Sequence, residues 1–178
     1  MSLRPIHLLG SPVLRERAVE VTAVDGEVRA LLADLWDTMR VADGVGLAAN
    51  QIGVARRVAV VSAEGQDVAL VNPVIVEREG KAKQEEGCLS IPDLYADVSR
   101  PARVVVEAAD ETGAVRRIEG TGLLARALQH EIDHLDGILF LDRVGPLKRR
   151  RLQAEWQKSR EGKTGLLREV TPEGASKD

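Results

Sequence analysis

The stretch LQHEIDHLDG, Leu128 to Gly137, sets two histidines four residues apart with a glutamate between them. On an α-helix, residues i and i+4 lie one above the other on the same face, so His130 and His134 can grip one ion there. Glu131 is rotated by about 100° from His130, which leaves it beside the ion rather than on it. A carboxylate so placed can take a proton from activated water and later hand it to a leaving nitrogen. The bland alternative, a helix with two incidental surface histidines, fits poorly with a chain that has only 3 histidines and concentrates two of them here. His7 has no partner pattern and receives no function. Asp133 reads as a solvated charge in preference to a partner of the ligands.

Two imidazoles are one ligand short of a hydrolytic metal centre. The extended H-E-x-x-H-x-x-G-x-x-H pattern would put a third histidine where this chain has Phe140. Glu155, on a later helix, stands in a charged amphipathic stretch and reads better as a solvated face. The remaining donor is the single cysteine, Cys88, in QEEGCLSIPD. A thiolate with two imidazoles suits zinc or ferrous iron and leaves a fourth position open.

The rest of the chain says what carries these residues. With 178 residues, 44% hydrophobic, it can build one ordinary domain. A net charge of −3 gives no support for a general polyanion binder, and only four aromatic residues leave little for stacking single-stranded nucleic acid. A lone cysteine excludes an internal disulfide and fits a reducing cytoplasm. No apolar run is long enough to span a bilayer, and the N-terminus does not read as a signal peptide. Residues 25–42 place Val28, Leu31, Leu32, Leu35 and Met39 at helical spacing. Residues 57–62 and 68–76 read as strands, the second bulged or at an edge because of Asn72-Pro73. Residues 102–109 and 114–119 read as a hairpin. Residues 122–136 form a helix with Thr121 as N-cap and Gly137 as stop. A last helix starts at Pro146 and runs to about Arg160. The expectation is an α+β fold: small, mostly antiparallel β-sheets packed around a central metal-binding helix, with a C-terminal helix. Residues 1–165 make one catalytic domain, and 166–178 a flexible tail.

A third stretch, GVGLAANQIG from Gly44 to Gly53, is small enough for a substrate backbone to approach closely. Gln51 is a neutral polar residue among small apolar ones. Either it donates its amide N–H to an oxyanion, or it caps a helix-to-strand connection.

Taken together, GVGLAANQIG, EGCLS and QHEIDH resemble, in order and spacing, the three signatures of the peptide deformylases. With GSPVLRERAVEV and GILFLDRVGPLK the resemblance covers most of residues 6–152. It implies an enzyme that removes the N-formyl group from the formyl-methionine of newly synthesised polypeptides and releases formate. It implies one divalent ion per chain on Cys88, His130 and His134, natively Fe(II), with Zn(II), Ni(II) or Co(II) as substitutes. Glu131 becomes the general acid/base, and Gln51 with the Leu89 backbone N–H the oxyanion donors. Val45 and Gly46 match the strip that pairs with the bound peptide, while Glu86, Leu123, Arg126 and Ala127 fall in or near the methionine pocket. Arg126 stands where some relatives are apolar; its stem is expected along the pocket and its guanidinium in water. Tyr95 stands where certain members carry an arginine near the outer part of the peptide.

Rival readings are an ion-binding module without chemistry, an ordinary zinc endopeptidase and a copper electron carrier. Glu131 and Gln51 speak against the first; for the last only Met1 and Met39 are available as an axial ligand, and an i, i+4 histidine pair flanking a glutamate is odd for it. The locally basic PLKRRRLQAEWQK reads as a solvated helix face or, on the resemblance, as a transient contact to the ribosome. No DNA or membrane partner is expected.

Overall fold

The computed structural model describes residues 2–176. In chain order the strands are β1 (Ile6–His7), β2 (Gly46–Ala48), β3 (Val58–Ala63), β4 (Gln66–Glu79), β5 (Ala82–Cys88), β6 (Ile91–Arg100), β7 (Arg103–Ala109), β8 (Val115–Thr121), β9 (Leu167–Arg168), β10 (Val170–Thr171) and β11 (Gly174–Ala175). The α-helices are α1 (Gly26–Val41), α2 (Gly122–Leu135) and α3 (Pro146–Ser159). β2, β3, β4, β7 and β8 form one antiparallel sheet in the order 2-3-4-7-8, and β5 pairs with β6 in a separate antiparallel hairpin.

β3 shows how period-2 alternation builds two cores from one strand. Val58 and Val60 face α1 and join Leu31, Leu32, Leu35 and Met39, whereas Ala59 and Val61 face α2 and join Leu124 and Leu128. The middle of the sheet is therefore covered on both sides. A third cluster under β6 brings Ile91, Leu94 and Val98 against Phe140, Leu152 and Trp156. Leu152 and Trp156 are the buried side chains of α3 there, and Leu147 at its start is 82% exposed.

α2 is the central element. Every residue from Leu124 to Leu135 is buried, including Arg126, Gln129, His130, Glu131 and Asp133. A helix buried on all sides and carrying ionisable groups is tolerated only if those groups find partners. Thr121 occupies the N-cap position without a capping side-chain bond; the Glu64 carboxylate accepts from the Leu123 N–H at 3.1 Å instead.

Of the two alternatives for Asn72-Pro73 the bulge is the one found, in a central strand, and two other features depart from sequence expectation. Asn72 turns out at φ 51° and clamps the N-terminal segment, accepting from the Val21 N–H at 2.9 Å and donating to the Val21 carbonyl at 2.8 Å. The β5–β6 hairpin was unread, because KAKQEEG is charged and the inward parity of β6 ends on Arg100. The segment expected as a loose tail is tied down through Ser176: the Leu8 N–H donates to the Leu166 carbonyl at 2.8 Å, β9 pairs with β1, β10 pairs with β11, and Val170 is 8% exposed. Strand pairing and one buried apolar side chain anchor a stretch whose composition alone looks unstructured.

Leu128 is fully buried between α2 and the sheet. Leu128→Ala is expected to cost about 2–5 kcal/mol in urea unfolding, and Leu147→Ala less than about 0.5 kcal/mol. Equal effects would contradict the packing described.

Candidate metal and active site

Cys88 ends β5 where the hairpin register shifts, and His130 and His134 project from one face of α2. The Cys88 Sγ lies 3.3 Å from the His134 Nε2, which lies 3.2 Å from the His130 Nε2. One ligand atom from each residue lies within 4.8 Å of the others. With the usual ~2.0–2.3 Å bonds to a tetrahedral ion, neighbouring N and S ligands stand roughly 3.3–3.6 Å apart. The observed edges are close to that, so the donor set fits one ion.

The electrostatics agree. Burial acts to lower the His130 pKa, but the Cys88 sulfur and the Glu86 carboxylate at its ring outweigh it and hold it well above the ordinary value. A field that favours a proton at that spot also favours a metal cation. His134 goes the other way: burial and the neighbouring His130 charge push it well below the ordinary value, which keeps a lone pair for ligation.

Glu86 orients this arrangement. Its Oε1 meets the His130 Nδ1 at 2.9 Å, which leaves Nε2 facing the cluster. Arg100 grips both Glu86 oxygens, through Nε at 2.6 Å and NH2 at 3.0 Å, and Arg126 holds Oε2 from the other side. Burial works to raise the Glu86 carboxyl, but the hydrogen bonds from His130 and Arg100 prevail and set it at about 2. Arg100 then reaches Asp133 at 2.9 Å, and Asp133 takes Arg143 at 2.8 Å.

This network corrects two expectations. The Arg126 guanidinium does not reach water. The residue is 6% exposed, and beyond Glu86 it donates to the carbonyls of Val98 at 2.9 Å and Ala82 at 3.0 Å. Those fixed acceptors outcompete solvent. Asp133 is not a solvated charge but a buried link between two arginines. Glu155, by contrast, is exposed and pairs only with Arg151 one turn away, as a solvated helix face should.

Glu131 points beside the three ligands, and burial pushes its carboxyl up to about 7. Its Oε2 is buried without a hydrogen-bond partner. The opposite oxygen packs on β2: a Cβ added to Gly46 would stand 2.6 Å from the Glu131 Oε1. Glycine at 46 is the condition for this carboxylate position. Gly87 has a similar reason, since a Cβ there would meet the Tyr95 ring at 2.6 Å.

Gln51 caps the connection and directs its amide toward the cluster. Its Oε1 accepts from the Ala48 N–H at 3.0 Å, closing the short turn after β2. Its Nε2 faces the ligands, donating to the Ser90 Oγ at 3.0 Å and toward the Cys88 Sγ at 3.6 Å.

A cavity of about 400 Å³ opens onto this cluster. Gln51, Glu86, Cys88, Leu89, His130 and Glu131 line it. Val45, Gly46, Leu123, Arg126 and Ala127 form walls, with Tyr95 at the mouth; His134 stands behind them. The residues expected to hold the ion, to act on the substrate and to line its pocket thus gather at one place. Sequence reasoning missed Ser90, Arg100 and Arg168, which also reaches the cavity wall. Only Arg100 left a signal, as the last inward position of β6.

The sequence profile described as Polypeptide deformylase matches residues 3–150. A peptide deformylase of Thermomicrobium roseum is 50% identical over 153 residues, 81% of this chain and 87% of that one. One of Heliobacterium modesticaldum is 53% identical over 144 residues, 81% of this chain and 95% of its own. The crystal structure of a peptide deformylase from Legionella pneumophila superposes with a TM-score of 0.85 at 43% identity, covering 90% of this chain and 96% of that chain. The structure of the Ehrlichia chaffeensis enzyme in complex with actinonin gives 0.84 at 37% identity, covering 89% and 98%. The profile match over most of the chain, relatives at about 50% identity and the shared architecture lead to one assignment: this chain belongs to the polypeptide deformylase family.

Proposed function

We propose that this protein hydrolyses the N-formyl group of the formyl-methionine that begins newly made polypeptides, releases formate, and works in the cytoplasm with one divalent ion. The observation that carries the proposal is the buried, unpartnered Glu131 oxygen beside the Cys88–His130–His134 cluster. Held by those three residues, a divalent ion supplies Lewis-acid activation of water and of the formyl oxygen. A thiolate with two imidazoles suits Fe(II) or Zn(II), and the family resemblance favours Fe(II) as the native ion.

The chain's own groups do the rest. Glu131 takes a proton from the attacking water as its oxygen bonds to the formyl carbon. Charge then grows on the formyl oxygen, where the Gln51 amide and the Leu89 N–H donate. The C–N bond breaks, and Glu131 returns the proton to the departing amine. Val45 and Gly46 offer backbone groups to the peptide. Leu123, Ala127 and the Arg126 stem provide apolar wall for the methionine, while the Arg126 charge is satisfied by Glu86. Exposed Lys148, Arg150 and Arg151 on α3 give a basic surface for transient contact with ribosomal RNA. Truncation after Gly145 should abolish salt-dependent ribosome binding; retention of that binding would count against it.

Purified protein should release formate from a formyl-methionyl peptide. Chelation should stop it, and anaerobic Fe(II) should restore it. Cleavage of internal peptide bonds with no formate release would instead mark an endopeptidase. Glu131→Ala should keep its metal by elemental analysis and lose at least ~100-fold in turnover. Gln51→Glu keeps an acceptor for the Ala48 N–H but removes the amide donor, so turnover should drop by about 100-fold with the fold intact. Undiminished rates would remove both residues from the mechanism.

A further inference from the structure

The family profile ends at residue 150, yet the chain turns back afterwards and reaches the active site. β9 pairs with β1, Ile6 opposite Arg168 and His7 opposite Leu167, so the two ends of the chain form one small ribbon. That ribbon lies behind the turn that follows Cys88. Two consecutive carbonyls of the turn are taken by it: the Leu9 N–H donates to the Ser90 carbonyl at 2.9 Å, and the Arg168 NH1 to the Leu89 carbonyl at 3.3 Å. Arg168 is itself braced, its Nε donating to the Ser176 carbonyl at 2.7 Å. It makes no ion pair among the described residues, so its hydrogen bonds, and not a carboxylate, set its position.

We infer that the C-terminal segment is a working part of the active site, with Arg168 as a positioning residue for the turn that carries Cys88 and Leu89. The inference rests on the deformylase reading, in which the Leu89 N–H receives the developing oxyanion. A peptide plane held at its carbonyl restricts the torsions of Leu89 and so the aim of the N–H on the same residue. Gln51 holds the turn through the Ser90 hydroxyl, and Arg168 holds it through the Leu89 carbonyl. A donor aimed ahead of time stabilises charge without reorganisation, which is where such a brace acts on rate. Three residues of this turn thus have anchors on four distant parts of the chain: Cys88 on the histidines of α2, Leu89 on Arg168, and Ser90 on Leu9 and Gln51.

Test this on the full chain with Arg168→Ala, Arg168→Lys and, as a neighbour outside the site, Glu169→Gln. Amide hydrogen exchange is followed alongside formate release from a formyl-methionyl peptide. Arg168→Ala should exchange faster at residues 88–91 while β3 and β4 stay as in the wild type. Its kcat should fall roughly 5- to 10-fold, about the rate effect of one modest hydrogen bond, with KM within about twofold and Tm nearly unchanged. Arg168→Lys, which keeps a donor, should recover part of the loss, and Glu169→Gln should behave as wild type. Unchanged exchange at residues 88–91 would overturn the inference, as would a loss confined to KM or an equal loss in Glu169→Gln. If the wild type releases no formate, the deformylase reading fails, while the exchange comparison still decides whether Arg168 braces the turn.

Discussion

A carboxylate on an imidazole governs this molecule. Glu86 fixes the His130 ring so that Nε2 faces His134 and Cys88. That one contact would be costly alone, because an anion buried to this degree needs compensation. Arg100 and Arg126 supply it, and Asp133 and Arg143 compensate Arg100 in turn. The alternating charges run from the ligand cluster to the protein surface, where Arg143 is half-exposed. α2 can be buried on every side and still carry ionisable groups because Arg126, His130 and Asp133 are answered by neighbours. Among the described residues, the Glu131 Oε2 and the His134 Nδ1 are the atoms of this helix left buried without a hydrogen-bond partner.

The sheet and the hairpin serve that arrangement from different directions. The five-stranded sheet covers α2 with small side chains, Ala59 and Ala108 among them, which lets the helix approach closely. The β5–β6 hairpin brings Glu86 and Cys88 from one strand and Arg100 from the other. Ligand, orienting carboxylate and balancing cation therefore arrive on one supersecondary unit. The bulged register between Glu86 and Cys88 changes the strand's alternation at the point where both residues must turn toward α2.

Much of this was legible in the residues. The His130–His134 spacing demands a helix, the apolar rhythm of residues 25–42 and 122–136 locates α1 and α2, and DETG marks the β7–β8 turn. The ligands and Glu131 were legible because metal chemistry admits few residue types at few spacings. The β5–β6 hairpin was not, since its outward face is charged and its inward face is small or ionic, which hides the hydrophobic alternation. The inward path of Arg126 was hidden for a related reason: a long cation reads as solvent-seeking until its acceptors, on strands 28 and 44 residues away, are known. The anchored C-terminus depends on pairing with Ile6 and His7, a contact across almost the whole chain that no local pattern encodes.

The close approach of Gly46 to Glu131 carries a consequence for how this protein tolerates change. Position 46 bears no reactive atom, yet any side chain there would displace the carboxylate across from it. If Glu131 has the role proposed for it, a saturation scan would register position 46 as an essential site beside the glutamate itself. The two positions behave as a single mutational target whose halves lie on different elements, so damage at one could be relieved only by a compensating shift at the other.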